Sequence, residues 1–358
     1  MKRPFAIGHI ALALLIGGLG GVVFRALTLP LPWMLGALTF TLIAAVARAP
    51  IRAPETWRDP VIAVIGVLLG SGFSPALLGQ VVTWGWSLAA LGAYLAVAAA
   101  VVVPFYRRVG GFDPVTAYFA GMPGGLAEMV TLGRAAGADE RRIILAHAAR
   151  IVVAVAVIAV WFRLIKGYAV GANPGGGALA DMAGADIAIL LACGGVGAVA
   201  GRWLRLPAPM LLGPMILSGA AHLTGLTASA PPGGLVIATQ VMLGAIMGCR
   251  FLGIPARTVG RALVLATGAT LITFAIAMMF ALGLAAVAGL PADQVILAYA
   301  PGGLTEMSLV ALAVQAEVAF VALHHVVRIV MIITAAPLVL RLFPHVAAGP
   351  RPGGPPSP

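Results

Sequence analysis

Two acids, two histidines and two arginines recur at matched positions in an otherwise apolar chain, and their spacing suits the binding of an ion or solute. Glu128 and Glu306 each follow a Pro-Gly-Gly triplet by three residues, Pro123-Gly124-Gly125 and Pro301-Gly302-Gly303. A carboxylate so placed can complement the start of a helix, bind Na⁺ or exchange a proton, since burial raises a carboxylate pKa. His147 and Arg150, and again His325 and Arg328, stand three residues apart on one helix face. An arginine deep in a membrane helix costs several kcal/mol unless paired, so each is expected to face the protein interior with the nearby acid as its partner. Such a pair is either a fixed tie or an ion pair that opens when an anionic solute or a proton competes for it. His324 has Ala146 at the matching position and carries less weight, and Asp139 and Glu317 read as dipole partners at helix starts. No nucleophile-base set, phosphate-cradling loop, or haem or copper ligand set is present, so no catalytic residue, metal site or resident cofactor is expected, and Na⁺ or H⁺ is the candidate coupling ion.

The elements that must position these groups follow from composition. Hydrophobic residues make up 61% of the 358, charged residues 9%, and mean hydropathy is +1.06. This describes a polytopic membrane protein, because a span needs roughly 20 apolar residues and the charge-free runs Pro60 to Tyr106 and Leu206 to Cys249 each hold about two. Spans are expected near 6–24, 31–47, 60–81, 84–106 and 140–163, with the segment 113–134 interrupted by its Pro-Gly-Gly. Gly and Pro can interrupt a membrane helix only where protein or a water-filled cavity satisfies the freed backbone groups. Each interruption leaves a half-helix start that attracts anions and a half-helix end whose carbonyls attract cations.

The chain is a duplication. Arg25, Pro30, Pro32 and Gly36 return as Arg202, Pro207, Pro209 and Gly213, and Gly66, Gly70 and Phe73 return as Gly244, Gly248 and Phe251. The triplets, Glu128-Met129 and His147/Arg150 keep the later register. The expected organisation is a first membrane repeat at 1–168, a Gly-rich linker at 169–182, a second repeat at 183–346 and a disordered Pro/Gly-rich tail at 347–358. If the interrupted segments are re-entrant, 17 of the 22 Lys and Arg fall on the inside, with Arg25, Arg163 and Lys166 outside and Arg150 and Arg328 within helices. Full crossings would erase that bias. The expected fold is therefore all-α and integral to the membrane: two inverted repeats of about five transmembrane helices, each with a re-entrant broken helix at Pro-Gly-Gly.

Net charge +11 is explained by basic loops retained in the cytoplasm, and no direct nucleic-acid contact is expected. Cys193 and Cys249 read as buried apolar residues. Lys2 and Arg3 precede an apolar run without a cleavage site, which reads as a retained first span.

At these residues the sequence resembles the bacterial AbrB-duplication membrane family, whose members carry two copies of a Pro-Gly-Gly-x-x-Glu-Met region like 123–129 and 301–307. The resemblance covers nearly the whole chain except the tail. Members are labelled membrane regulators of gene expression or ammonia monooxygenases, and no single substrate follows. The leading expectation is an ion-coupled transporter or exporter of a small polar or anionic solute, multi-pass in the bacterial inner membrane with both termini cytoplasmic. Its expected site is Pro123, Gly124, Gly125, Glu128, His147 and Arg150 with Pro301, Gly302, Gly303, Glu306, His325 and Arg328. A membrane-bound sensor is the alternative and an ammonia monooxygenase-like enzyme the third. Expected partners are the lipid bilayer and the solute, with a homodimer as the candidate assembly.

Overall fold

A computed structural model describes residues 5–73, 79, 83–167 and 177–342. Most of the linker expected at 169–182 and all of the tail at 347–358 lie outside the described residues. Among those described, regular structure is entirely helical. In the first half α1 is Phe5–Ala26, α2 Pro32–Val46, α3 Arg58–Gly70, α4 Trp84–Arg108, α5 Pro114–Gly121, α6 Leu126–Ala135 and α7 Glu140–Leu164. In the second, α8 is Gly184–Trp203, α9 Pro209–Leu223, α10 Gly233–Cys249, α11 Ala256–Ala288, α12 Ala292–Tyr299, α13 Leu304–Ala313 and α14 Val318–Leu342. The same seven helices thus occur twice in the same order.

Six helices, α1, α4, α7, α8, α11 and α14, are long and apolar enough to cross a bilayer. The protein is a multi-pass, all-α membrane protein. The second and third expected spans of each half are shorter: 15 and 13 residues in α2 and α3, 15 and 17 in α9 and α10. At 1.5 Å per residue these run about 20 to 26 Å, less than a full hydrocarbon core.

The chain divides into two compact units that cut across the sequence repeats. One holds the described residues of Met1–Trp84, Val155–Thr258 and Leu304–Ala322, and the other those of Gly85–Ala154, Val259–Gly303 and Leu323–Pro358. Each unit therefore contains matching helices from both halves. In the first, α1 packs on α2 and α8 on α9, while α2 packs on α10 and α3 on α9, so the halves interdigitate. The duplicated glycines make these crossings close. A Cβ on Gly20 or Gly36 would strike the other's backbone, as would one on Gly197 or Gly213. Gly66 and Gly70 likewise abut Leu211 O and Met215 O on α9, and Gly244 and Gly248 abut Met34 O and Leu38 O on α2. Small residues that admit backbone-to-backbone approach are a principal source of helix association in lipid.

The duplicated Leu-Pro-x-Pro segments share a further backbone feature. Leu31 and Ala208, each just before the proline that opens a helix, are left-handed at φ 44° and φ 49°. Thr28 and Arg205 are left-handed too, at φ 53° and φ 51°. The prolines are thus not routine helix starts alone: both copies hold two non-glycine residues in a conformation that L-residues disfavour.

The second unit carries α5, α6 and α12 around α4 and the relevant parts of α7, α11 and α14. α5 begins at Asp113, whose Oδ1 accepts from Thr116 N at 2.9 Å, with Pro114 following as an N-terminal proline. It has eight residues and α6 has ten, so neither can cross a bilayer alone. The chain folds back between them. Asp139 N, beyond the end of α6, donates to Thr116 Oγ1 in the first turn of α5 at 2.8 Å. Arg142 Nη1, at the start of α7, donates to Gly111 O ahead of α5 at 3.0 Å. Entry and exit are therefore at the same end, which is the geometry of a re-entrant hairpin.

Candidate functional site

The first Pro-Gly-Gly sits where α5 stops. Met122 turns extended at φ −66°, ψ 132°, Pro123 offers no N–H, and Gly125 opens α6. A helix end leaves its last four carbonyls without intrahelical donors, and inside a membrane protein those acceptors need partners. Here Tyr118 O is the last to be met by the chain itself, accepting from Met122 N at 3.0 Å. His147 and Arg150 on α7 satisfy the other four. His147 Nε2 lies 2.9 Å from Phe119 O, and Arg150 Nη1 donates to Ala120 O, Gly121 O and Met122 O at 3.3, 3.4 and 3.0 Å. Arg150 Nη2 lies 3.0 Å from His147 Nδ1. These contacts assign the neutral tautomer that donates through Nε2 and accepts at Nδ1. The i, i+3 spacing thus serves to cap a half-helix with one imidazole and one guanidinium.

The second break repeats the principle with different parts. Arg328 on α14 donates from Nη1 to Ala300 O at 2.6 Å and from Nη2 to Gly302 O at 3.0 Å. The carbonyl of Tyr299, last residue of α12, accepts from the Tyr94 hydroxyl of α4 at 2.7 Å. Tyr299 in turn donates its own hydroxyl to Ser87 O at 2.6 Å. The Tyr94 and Tyr299 ring centroids lie 4.8 Å apart with the rings tilted at 43°, and the His324 ring centroid lies 6.2 Å from that of Tyr299.

The expected partnership of arginine and hairpin acid is not found. No carboxylate pairs with Arg150 or Arg328 among the described residues; the two residues are buried, at 4% and 2% exposure, and their guanidinium groups face carbonyls. The reason is geometric: helix-end carbonyls converge on the break and present a diffuse negative end, about half an elementary charge, which a planar five-donor cation can span. Glu128 turns instead toward Gly125, where a Cβ would collide with its Oε2. That is the fold-back of a third-position acid over its own helix start. Glu306 belongs to the other compact unit, is buried, and has Arg250 and Arg58 within electrostatic range.

The second unit therefore brings together Pro123, Gly124, Gly125, Glu128, His147, Arg150, Pro301, Gly302, Gly303, His325 and Arg328. His147 and His325 are both buried. The acids at the helix starts behave as dipole partners: Asp139 Oδ1 accepts from Arg142 N at 3.1 Å. Glu317 accepts from Ala319 N–H, while its burial pushes the carboxyl above the ordinary range.

Ser87, Tyr94, Tyr106 and Tyr299 were not singled out by sequence. Tyr94 is fully buried in mid-α4 and lies within electrostatic range of both Arg150 and Arg328. The signal for it was a lone hydroxyl-bearing ring deep in an apolar span, since a buried tyrosine needs a hydrogen-bond partner. It lacks a counterpart in the other half, where Ile272 stands, so a search by repeat passes over it.

A sequence model of the family described as "Transition state regulatory protein AbrB" matches residues 33–344. A relative from Bacillus subtilis (strain 168), described as "Uncharacterized protein YhjN", is 25% identical over 361 residues, spanning 92% of this chain and 92% of that protein.

Proposed function

The chain belongs to the AbrB family, and from that premise we propose an ion-coupled secondary transporter or exporter of a small polar or anionic solute, not an enzyme. The observation that carries this reading is a pair of buried guanidinium groups, Arg150 and Arg328, set at two interrupted membrane helices and balanced by carbonyl dipoles rather than by carboxylates. Intramembrane charges of this kind mark ion and substrate pathways, and interrupted helices in matching repeats are where transporters bind. The presence of matched helices from both halves within each compact unit supports this reading, because transporter folds are commonly built from paired repeats. In this reading the protein lies in a bacterial inner membrane with both termini cytoplasmic, Na⁺ or H⁺ couples transport, and Glu306 is the coupling acid. A homodimer is the assembly proposed. The family description favours a second reading, a membrane regulator whose effect on gene expression is indirect.

The test is solute flux into proteoliposomes under an imposed Na⁺ or proton gradient, with a panel of small anions. Gradient-dependent uptake that Glu306→Gln uncouples is the expected result. Absence of uptake for every anion, in protein shown folded by circular dichroism, overturns the proposal.

A further inference from the structure

Arg150 has one nitrogen that the helix end does not use. Its Nη groups are committed to three carbonyls and His147, but Nε is buried without a hydrogen-bond partner. Tyr106 on α4 is in the same condition: the residue is 1% exposed and its hydroxyl has no partner. The two belong to one place. Tyr106 packs with Ala117 and Ala120 of α5 and Ala146 of α7, its ring would stand 3.6 Å from a Cβ on Gly121, and it lies within electrostatic range of Arg150. Buried polar groups are rarely left unsatisfied, and two donors without an acceptor at one site call for an acceptor.

At the second break Arg328 Nε is likewise buried without a hydrogen-bond partner, but the tyrosine hydroxyls beside it are not left over. Tyr94 and Tyr299 are both spent on carbonyls there, and Leu284 stands where Tyr106 would recur. We propose that the first break alone is the anion site, and that it binds a monocarboxylate between Arg150 Nε–H and the Tyr106 hydroxyl. A carboxylate only accepts, and it is planar like the guanidinium edge it meets. At this break one guanidinium charge faces a half-helix end of roughly half a negative charge, which leaves a net positive charge that a singly charged anion is enough to neutralise. Because the carbonyl bonds already fix the guanidinium, Nε–H is aimed before ligand arrives. The proposal rests on the transport reading and names its substrate class.

The test uses the full chain in lipid nanodiscs with [¹³C]acetate observed by NMR. Saturable broadening is expected for the wild type, unaffected by sulfate, and Tyr106→Phe should weaken acetate about tenfold without lowering the melting temperature. Octanoate tests the source: tighter binding than acetate with the same Tyr106 dependence assigns the site to an acyl-chain head, and equal binding assigns it to a free solute. No saturable acetate signal, equal competition by sulfate, or Tyr106→Phe binding like wild type overturns the site. Flux separates the two readings: Tyr106-dependent binding without any flux removes transport and keeps the site, whereas anion flux unchanged by Tyr106→Phe does the reverse.

Discussion

The first and second breaks share a motif and a guanidinium but differ in how many other groups hold them. At the first, everything that satisfies the end of α5 comes from α7, through Arg150 and His147 acting together. At the second, the load is divided between Arg328 on α14 and Tyr94 on α4, with Tyr299 braced in turn on Ser87. Two copies of one sequence pattern have thus diverged into a break held from one neighbour and a break held from two. Each arginine keeps a buried Nε without a partner, but only the singly held break also keeps an unused tyrosine hydroxyl, whereas the doubly held one has its tyrosine hydroxyls spent. Duplicated motifs preserve the need for a cap; which helices supply it is free to drift.

The largest expected effect tests that division directly. Arg150→Ala strands three carbonyls and the Nδ1 of His147, and should cost about 3–5 kcal/mol, whereas Arg328→Ala leaves Tyr94 in place and should cost about 2–3 kcal/mol. Thermal unfolding in nanodiscs, with hydrogen exchange across 119–125 and 299–303, reads both; equal losses would mean the breaks are held alike. Next in size, Tyr94→Phe should cost about 1–2 kcal/mol and speed exchange at the second break only. Faster exchange at residues 119–125 in that variant would join what the comparison keeps apart. The smallest effect is expected of Glu128→Gln. Its carboxylate lies over its own helix start, so the change should lower stability by about 0.3–1 kcal/mol, with most of that loss screened by salt. A loss of several kcal/mol would show that Glu128 carries a partner beyond the helix dipole.

Much of the fold was legible. The spans expected near 6–24, 31–47, 84–106 and 140–163 appear as α1, α2, α4 and α7 with ends shifted by a few residues. The break at 122–125 falls where Pro-Gly-Gly put it, because proline removes a donor and extends the residue before it. The third span was expected at 60–81; its helix stops at Gly70, and residues 74–78 and 80–81 of that stretch lie outside the described residues. Apolar composition continues past that point, and composition cannot tell where a helix ends when the glycines that shape it, Gly66 and Gly70, serve a crossing with α9.

The candidate site was legible in its residues and misread in its pairings. Arg150 and His147 were found by position and repeat, yet their partners are carbonyls, which carry no letter in the sequence. Glu128 looked like the natural counter-ion because it is the acid carried by the interrupted hairpin that Arg150 follows.

Composition, the spacing of charges and the doubled motif were enough to determine a membrane protein of two similar halves, each with one interrupted helix and a buried arginine after it. These features are local: they depend on hydrophobic length, on backbone groups that proline and glycine cannot pair, and on the cost of a charge in lipid. Tertiary structure alone decided that matched helices of the two halves share compact units, that the arginines cap helix ends, and that Tyr94 serves one break while Tyr106 keeps an unused hydroxyl at the other. Such choices depend on which backbone oxygens converge around a side chain, and that convergence exists only once distant helices have packed.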